Sequence, residues 1–392
     1  MAEDMFSIPP APEGRFPLAL LRQAAPLTVP DEAPEKTTAD AILHLMNRFH
    51  LSASLRKILS GPCVTKYLLD TSCPLPPSSL KEMEAALVKA LDTPCIRLQF
   101  PLPGTACAGI EVPKALRRTV PLRQVLGSEE MQQAKKALPT ALGVDLAGRN
   151  VVCHLSGMPH LLLAGGPGSG KSVCLHSMLL SLMHRLPPEE VQFLLSDPTQ
   201  TEFTAYASLP YLRHPVESDA LIAIEHLESL TDEMLRRYAL FRQRAVRNIN
   251  GYNAALSPSE ERLPRILFVA DELAHLMQFS RERVETAVSR LSALGRGAGI
   301  HLLLATRHPS PDVLTGMILS SIPARIAFRC ATVQHSRLIL NQPDAEKLLG
   351  QGDMLYMPYG SQPPLRVQGC FVSVYEMEQV TAFLRKEKTS AG

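Results

Sequence analysis

The spacing of apolar positions changes character twice along the chain. Up to about residue 37 there is no sustained apolar period: prolines, small residues and charges dominate, with PPAPEG and VPDEAPEK as the clearest stretches. Residues 1–37 therefore read as a disordered, Pro-rich tail. Over 38–113 the pattern is that of a small α+β unit. Helical spacing runs over 41–49 and 78–90, and strand-like runs cover 63–70, 96–100 and 106–112.

From 114 to 392 the scale lengthens. Short uninterrupted apolar bursts at 161–164, 191–196, 266–270, 300–305 and 325–329 are separated by longer segments of helical spacing. Continuous apolar runs that alternate with helices predict an α/β fold with a mostly parallel sheet covered on both faces. Strands at 353–357 and 365–372 and a helix over 375–386 complete this unit. A long helix is expected over 220–247, with the charged run DEMLRRYALFRQRAVRN on a solvated face.

Composition adds little. Lys plus Arg number 40 against 38 for Asp plus Glu, so a net charge of +2 gives no global argument for nucleic acid. The eight cysteines contain no C-x-x-C pair, and no secretory leader precedes them, so reduced thiols in the cytoplasm are expected. No apolar run is long enough to span a bilayer. In the tail, the island FPLALLRQ reads either as a docking helix for a membrane-bound or division-site partner or as a stray apolar cluster.

The chemistry concentrates after the 161–164 strand. Gly165-Gly166-Pro167-Gly168-Ser169-Gly170-Lys171-Ser172 follows it at once and opens a helix expected over 173–183. This G-x-x-x-x-G-K-[ST] spacing lets successive backbone N–H groups turn toward phosphates at a helix N-terminus. Lys171 is the candidate for neutralising phosphate charge and Ser172 for ligating magnesium, so ATP and Mg2+ are the expected cofactors. About a hundred residues on, the strand RILFVAD ends in Asp271, followed by Glu272. Alone, such a pair is often a cap or a surface turn. With the upstream loop, Asp271 reads as the magnesium-side acid and Glu272 as the catalytic base.

Several strings occur together and in order: LGVDLAG, MPHLLLAGGPGSGKSV, DPTQTEFTAYASLPYL, EMLRRYALFRQRAVRNINGYN, LPRILFVADELAHLM, GRGAGIHLLLATRHPSPDVLTGMI, IPARIAF, HSRLIL and LLGQGDMLYM. In order and spacing the chain resembles the FtsK/SpoIIIE DNA translocases. The small unit resembles that family's α domain, and the P-loop unit resembles its RecA-like β domain. The resemblance implies a homohexameric ring that threads double-stranded DNA, powered by ATP hydrolysis at subunit interfaces, in chromosome segregation and cell division. It also implies that Arg296 in GRGAG reaches a neighbour's γ-phosphate; alone it would read as a helix-end arginine. The family's transmembrane helices and winged-helix domain have no counterpart in the string, so a bare motor is expected.

Departures fall where that family carries charge. Thr199 stands in the DPK slot, Arg307-His308 replace Gln-Arg in ATQRP, Leu319 and Val333 take usual lysine positions, and His335 replaces an aspartate. Arg307, His308, Arg329 and Arg337 remain candidate DNA contacts, and Arg325 a nucleotide or DNA contact. Fewer cations on the central loops imply a weaker grip on phosphates. The alternatives are an ATP-binding ring scaffold, or a protein-translocating ATPase, with a modified pore.

Overall fold

The structure, a computed structural model, describes residues 14–24, 32–71, 77–100, 102, 107–135, 137–158, 160–359 and 363–390. A first sheet is antiparallel, in the order β1-β2-β4-β3: β1 (Ala53–Ser60), β2 (Val64–Thr71), β3 (Arg97–Gln99) and β4 (Cys107–Pro113). Helices α1 (Glu32–Arg48) and α2 (Pro77–Ala90) share its core, burying Ile42, Met46, Met83 and Leu87 with Leu69 and Ile110. Each such side chain contributes about 1.5–3 kcal/mol through its removal from water.

The chain then passes through β5 (Val120–Pro121), α3 (Leu122–Leu126), α4 (Glu129–Gln132) and the hairpin of β6 (Pro139–Asp145) and β7 (Asn150–His154). Next come β8 (Leu161–Ala164), α5 (Lys171–Arg185), β9 (Val191–Ser196), α6 (Ala220–Gln243), α7 (Ile249–Ala254), β10 (Arg265–Ala270), α8 (Leu273–Ala298) and β11 (Ile300–Thr306). The last elements are α9 (Gly316–Ser321), β12 (Ala324–Phe328), α10 (Val333–Leu340), β13 (Asp353–Met357), β14 (Leu365–Phe371) and α11 (Val374–Ser390). The large sheet runs β7-β6-β14-β13-β12-β8-β11-β10-β9, with β5 pairing β14. Two hydrophobic cores flank it, one including α5 and α11, the other α6 and α8.

Strands β12, β8, β11, β10 and β9 are parallel, as expected from their helical crossovers. The flank from β13 to β7 is antiparallel, so the sheet as a whole is mixed rather than mostly parallel. The cause is local: the short β6–β7 and β13–β14 connections permit only antiparallel pairing. No helix among the described residues is long and apolar enough to cross a membrane.

The tail expected over 1–37 is corrected in part. Phe16 and Leu21 are buried in the large core, with the Phe16 ring 4.7 Å from that of His184. Arg22 bonds Glu376 through its backbone N–H at 2.7 Å and its Nε at 3.1 Å. The island FPLALLRQ thus docks on its own chain, where burial of Phe16 and Leu21 stabilises it, rather than standing free for a partner. Helix α1 already begins at Glu32; the remaining tail, 1–13 and 25–31, lies outside the described residues.

The long helix expected over 220–247 stops at Gln243, and Asn248 caps a separate α7 by accepting from the Gly251 N–H at 2.9 Å. Its charged face is not wholly solvated. Arg237 is fully buried, donating to Glu233 Oε1 at 2.7 Å and to the Ala298 carbonyl at 2.8 Å.

A buried ion network joins the two sheets. Arg366 on β14 donates to Asp353 at 3.0 and 2.6 Å and to Glu111 of β4 at 2.8 Å. Glu111 also pairs with Lys66 and Arg97, and Arg97 reaches Asp344 at 3.0 Å. Burial would raise the Glu111 pKa, but Arg97, Arg366 and Lys66 outweigh it and hold the carboxyl down to about 2.

Candidate nucleotide-binding site

Strand β8 is buried on both faces and delivers the chain to Gly165. Two glycines of the following loop are required by geometry: Gly168 has φ +64° and Gly170 φ +108°. At Gly170 a Cβ would also collide with the backbone of Gly352, whose N–H donates to the Ser169 carbonyl at 2.8 Å. The loop is therefore braced by the 350–352 turn as well as by its own sequence. Ser169 Oγ donates to the Gly166 carbonyl at 2.7 Å, and Lys171 Nζ to the carbonyls of Gly165 and Gly166 at 2.7 and 2.8 Å. Burial, then the neighbouring Arg307, pushes the Lys171 pKa down to about 8. A phosphate there would favour the charged ammonium again.

The other polar groups come from the carboxyl ends of the adjacent parallel strands, where α/β sheets bind ligands. Asp271, directly after β10, is buried; Oδ2 accepts from Arg307 Nη2 at 2.9 Å, while Oδ1 has no hydrogen-bond partner. Burial pushes its carboxyl up to about 6 against the pull of Arg307. Glu272 caps α8, accepting from the Ala274 N–H at 3.2 Å. Its carboxylate is oriented from β11: Thr306 Oγ1 donates to Oε1 at 2.6 Å and the Arg307 N–H to Oε2 at 3.0 Å.

Glu202 escaped the sequence reading. Its Oε1 accepts from Ser172 Oγ at 3.0 Å and from Arg307 Nη2 at 2.9 Å, and its Oε2 lies 3.6 Å from His176 Nε2. The available signal was DPTQTE: Asp197, buried at the end of β9, turns the chain back by accepting from the N–H groups of Glu202 and Phe203 at 2.8 and 2.9 Å. That turn aims Glu202 at the loop.

Pro167 to Ser172, Glu202 and Arg307 line a cleft of about 620 Å³ that also includes Thr119, Val120, Gln351, Gln368 and Phe371; Asp271 and Glu272 are tied to it through Arg307. The size suits a nucleotide. No group of three or more His, Cys, Asp or Glu side chains among the described residues forms a self-sufficient metal site. The Ser172 hydroxyl and the unpartnered Asp271 Oδ1 are nevertheless the hard oxygen donors that magnesium takes when phosphates complete its shell.

Arg296 lies elsewhere. It is exposed near the end of α8, with Nε donating to the Ser156 carbonyl at 3.1 Å. It precedes β11, whose seven residues, roughly 23 Å, separate it from the strand end that carries Arg307. Arg325 is structural: its guanidinium donates to the carbonyls of Ile322, Ile339 and Leu319. His308, Arg329 and Arg337 are exposed.

Two family models match the chain. The FtsK/SpoIIIE family matches residues 121–311, and the FtsK alpha domain matches 16–114. The DNA translocase FtsK of Haemophilus influenzae is 40% identical over 368 residues, covering 88% of this chain and 69% of that protein. The chain belongs to the FtsK/SpoIIIE family. The DNA translocase FtsK of Caldanaerobacter subterraneus subsp. tengcongensis is 40% identical over 381 residues, 96% of this chain and 54% of that protein. That of Clostridium acetobutylicum is 38% identical over 377 residues, 95% and 49%. The chain thus spans about half the length of these two curated relatives.

Among solved structures, the pCW3 conjugation coupling protein TcpA, in its monomer form with ATPgS, aligns with a TM-score of 0.61 at 21% identity, over 90% of this chain and 99% of that one. The cytoplasmic domain of the Type VII secretion ATPase EccC of Thermomonospora curvata aligns with a TM-score of 0.55 at 24% identity, over 63% and 31%. At these identities the likeness is one of fold.

Against the FtsK/SpoIIIE pattern, the departures acquire positions. Thr199 Oγ1 bonds Asp197 Oδ1 at 2.8 Å, so it stiffens the turn that presents Glu202. Leu319 is half-buried against the second core, and Val333 is half-buried at the start of α10. Arg307, expected among DNA contacts, instead pairs with two acids of the nucleotide cleft, because both carboxylates lie within reach of its β11-anchored backbone.

Proposed function

We propose that this chain is an ATP-hydrolysing motor that moves along double-stranded DNA, in the cytoplasm, as a homohexameric ring with nucleotide sites at its subunit interfaces. Residues 38–113 form its small domain and 114–392 its RecA-like motor domain. The observation that carries the reading is the P-loop cleft lined by Lys171 and Ser172, joined through Arg307 to Asp271 and Glu272 at the ends of the adjacent parallel strands. The relatives named DNA translocase FtsK supply the substrate of the motion, and the neighbour solved with ATPgS supports nucleotide use. Chromosome segregation during division is the role that fits such a motor.

In this reading Lys171 and the loop N–H groups hold the β- and γ-phosphates, and Glu272, fixed by Thr306, takes the proton of the attacking water. Ser172 and Asp271 hold magnesium, which supplies charge neutralisation at the phosphate oxygens when bound. Arg296 cannot serve its own site across the length of β11, so it serves a neighbour's. ATP turnover with and without linear duplex DNA tests the proposal. Several-fold stimulation by duplex supports it, and turnover indifferent to DNA favours the scaffold or protein-translocating alternative.

A further inference from the structure

A single guanidinium nitrogen joins the two halves of the nucleotide cleft. Arg307 Nη2 lies 2.9 Å from Asp271 Oδ2 and 2.9 Å from Glu202 Oε1. The same Glu202 oxygen accepts from Ser172 Oγ at 3.0 Å. The guanidinium therefore sits among the hydroxyl and carboxylates from which a cation coordinated by Ser172 and Asp271 would draw its oxygens. Two positive groups cannot share those oxygens without strong repulsion.

The anchoring is one-sided. The Arg307 backbone is fixed, because its N–H bonds Glu272 Oε2 at 3.0 Å at the end of β11. Glu202 is held through its own N–H by Asp197 at 2.8 Å. The arginine side chain is about one-third exposed. It borders both the main cleft and a second of about 200 Å³ lined by Gly166, Pro167, His308 and His335. The side chain that bridges the two acids thus also borders Gly166 and Pro167 of the P-loop.

We propose that Arg307 is a built-in counter-cation of this site: its guanidinium and a divalent cation are alternative partners of Asp271 and Glu202, and the guanidinium displaced by the metal pairs with the nucleotide's phosphate oxygens. The inference rests on the ATP reading above. It makes Arg307 a positioning residue on the acids and a ligand of the phosphates. A charge-assisted hydrogen bond on each side gives two opposite effects of its removal.

The test uses the full chain with Arg307→Gln, which keeps hydrogen bonding and removes the charge, and Arg307→Lys, which keeps the charge. Magnesium chloride alone is titrated against the thermal unfolding midpoint, and ATPγS binding is measured in EDTA and in excess magnesium. In Arg307→Gln the half-saturating magnesium concentration is expected to fall about tenfold, and ATPγS affinity in EDTA to fall about tenfold. Arg307→Lys is expected to lie between Gln and wild type on both scales. Magnesium midpoints and EDTA affinities within twofold of wild type for Arg307→Gln overturn the proposal while leaving the ATP reading intact. A wild-type chain that binds no ATPγS in either buffer overturns both.

Discussion

Thr306 Oγ1 donates to Glu272 Oε1 at 2.6 Å, so the end of β11 sets the direction of the acid that caps the preceding helix, α8. With the Arg307 N–H on the other oxygen, the carboxylate is held at both ends. Orientation of this kind acts on turnover, whereas the P-loop acts on binding. Thr306→Val is expected to lower kcat about tenfold and Glu272→Gln by a factor of about 100–1,000, each with ATP affinity within about threefold of wild type. Lys171→Ala is expected to lose ATP affinity by about tenfold or more. Equilibrium nucleotide binding beside steady-state turnover separates the two classes, and equal loss of binding in all three variants would refute the assignment.

Arg296 stands a strand's length from its own loop, so the role proposed for it would need a second subunit. Arg296→Ala and Lys171→Ala are each expected to be nearly inactive, since such arginines are worth about a thousandfold in rate. Mixed together they should regain part of the turnover, through interfaces that combine an intact loop with an intact arginine. Turnover per chain should also rise with protein concentration. Wild-type turnover that is independent of concentration, with no recovery on mixing, contradicts the role.

The stability of the fold should fall in mild acid. His160 is buried, its Nδ1 accepts from the Leu302 N–H at 2.9 Å, and burial pushes its pKa down to about 4. A base with a depressed folded pKa contributes stability that is fully present above its unfolded value, near 6.5, and lost as pH falls toward 4. The loss from this one group is on the order of 3 kcal/mol across that window. Denaturant unfolding between pH 7 and pH 4 measures it. His160→Asn, which keeps an acceptor but does not titrate, should flatten the slope by up to about 1.4 kcal/mol per pH unit. An unchanged slope would show that another group carries the effect.

Leu319 and Val333 occupy positions where the family pattern carries cations, and both are half-buried. If α9 and the start of α10 face duplex DNA, Leu319→Lys with Val333→Lys should raise affinity and steepen the fall of log affinity with log salt, by about 0.9 per added phosphate contact. Leu319→Lys also gives up apolar packing on the second core, so a lower unfolding midpoint should accompany the gain. Duplex binding across a salt series reads both. An unchanged salt slope removes these two positions from the DNA path.

The P-loop and its neighbouring acid were legible because their signals are local. The strand–loop–helix at 161–185 and the strand ending at Asp271 combine periodicity, glycine spacing and a carboxylate within a few residues each. Strand β1 was missed because it is a largely exposed strand, ASLRKILS, whose charges break the apolar alternation. Strands β6 and β7 were hidden by Pro139, Gly143 and Asn150. Glu202, Glu111 and the position of Arg307 depend on partners 14 to 255 residues away, which no local pattern reports. The docked strap at Phe16 was misread because an isolated apolar island looks the same whether its partner is its own chain or another.

Directional displacement of a roadblock reads movement along duplex DNA driven by ATP. A linear duplex carrying a bound third strand at one end is mixed with the chain and ATP, and third-strand release is followed in time. ATP-driven movement gives release that requires ATP, slows as the run of duplex leading to the third strand lengthens, and disappears in Lys171→Ala and Glu272→Gln. Release at the same rate without ATP, or no release by a chain that hydrolyses ATP and binds the duplex, would contradict it.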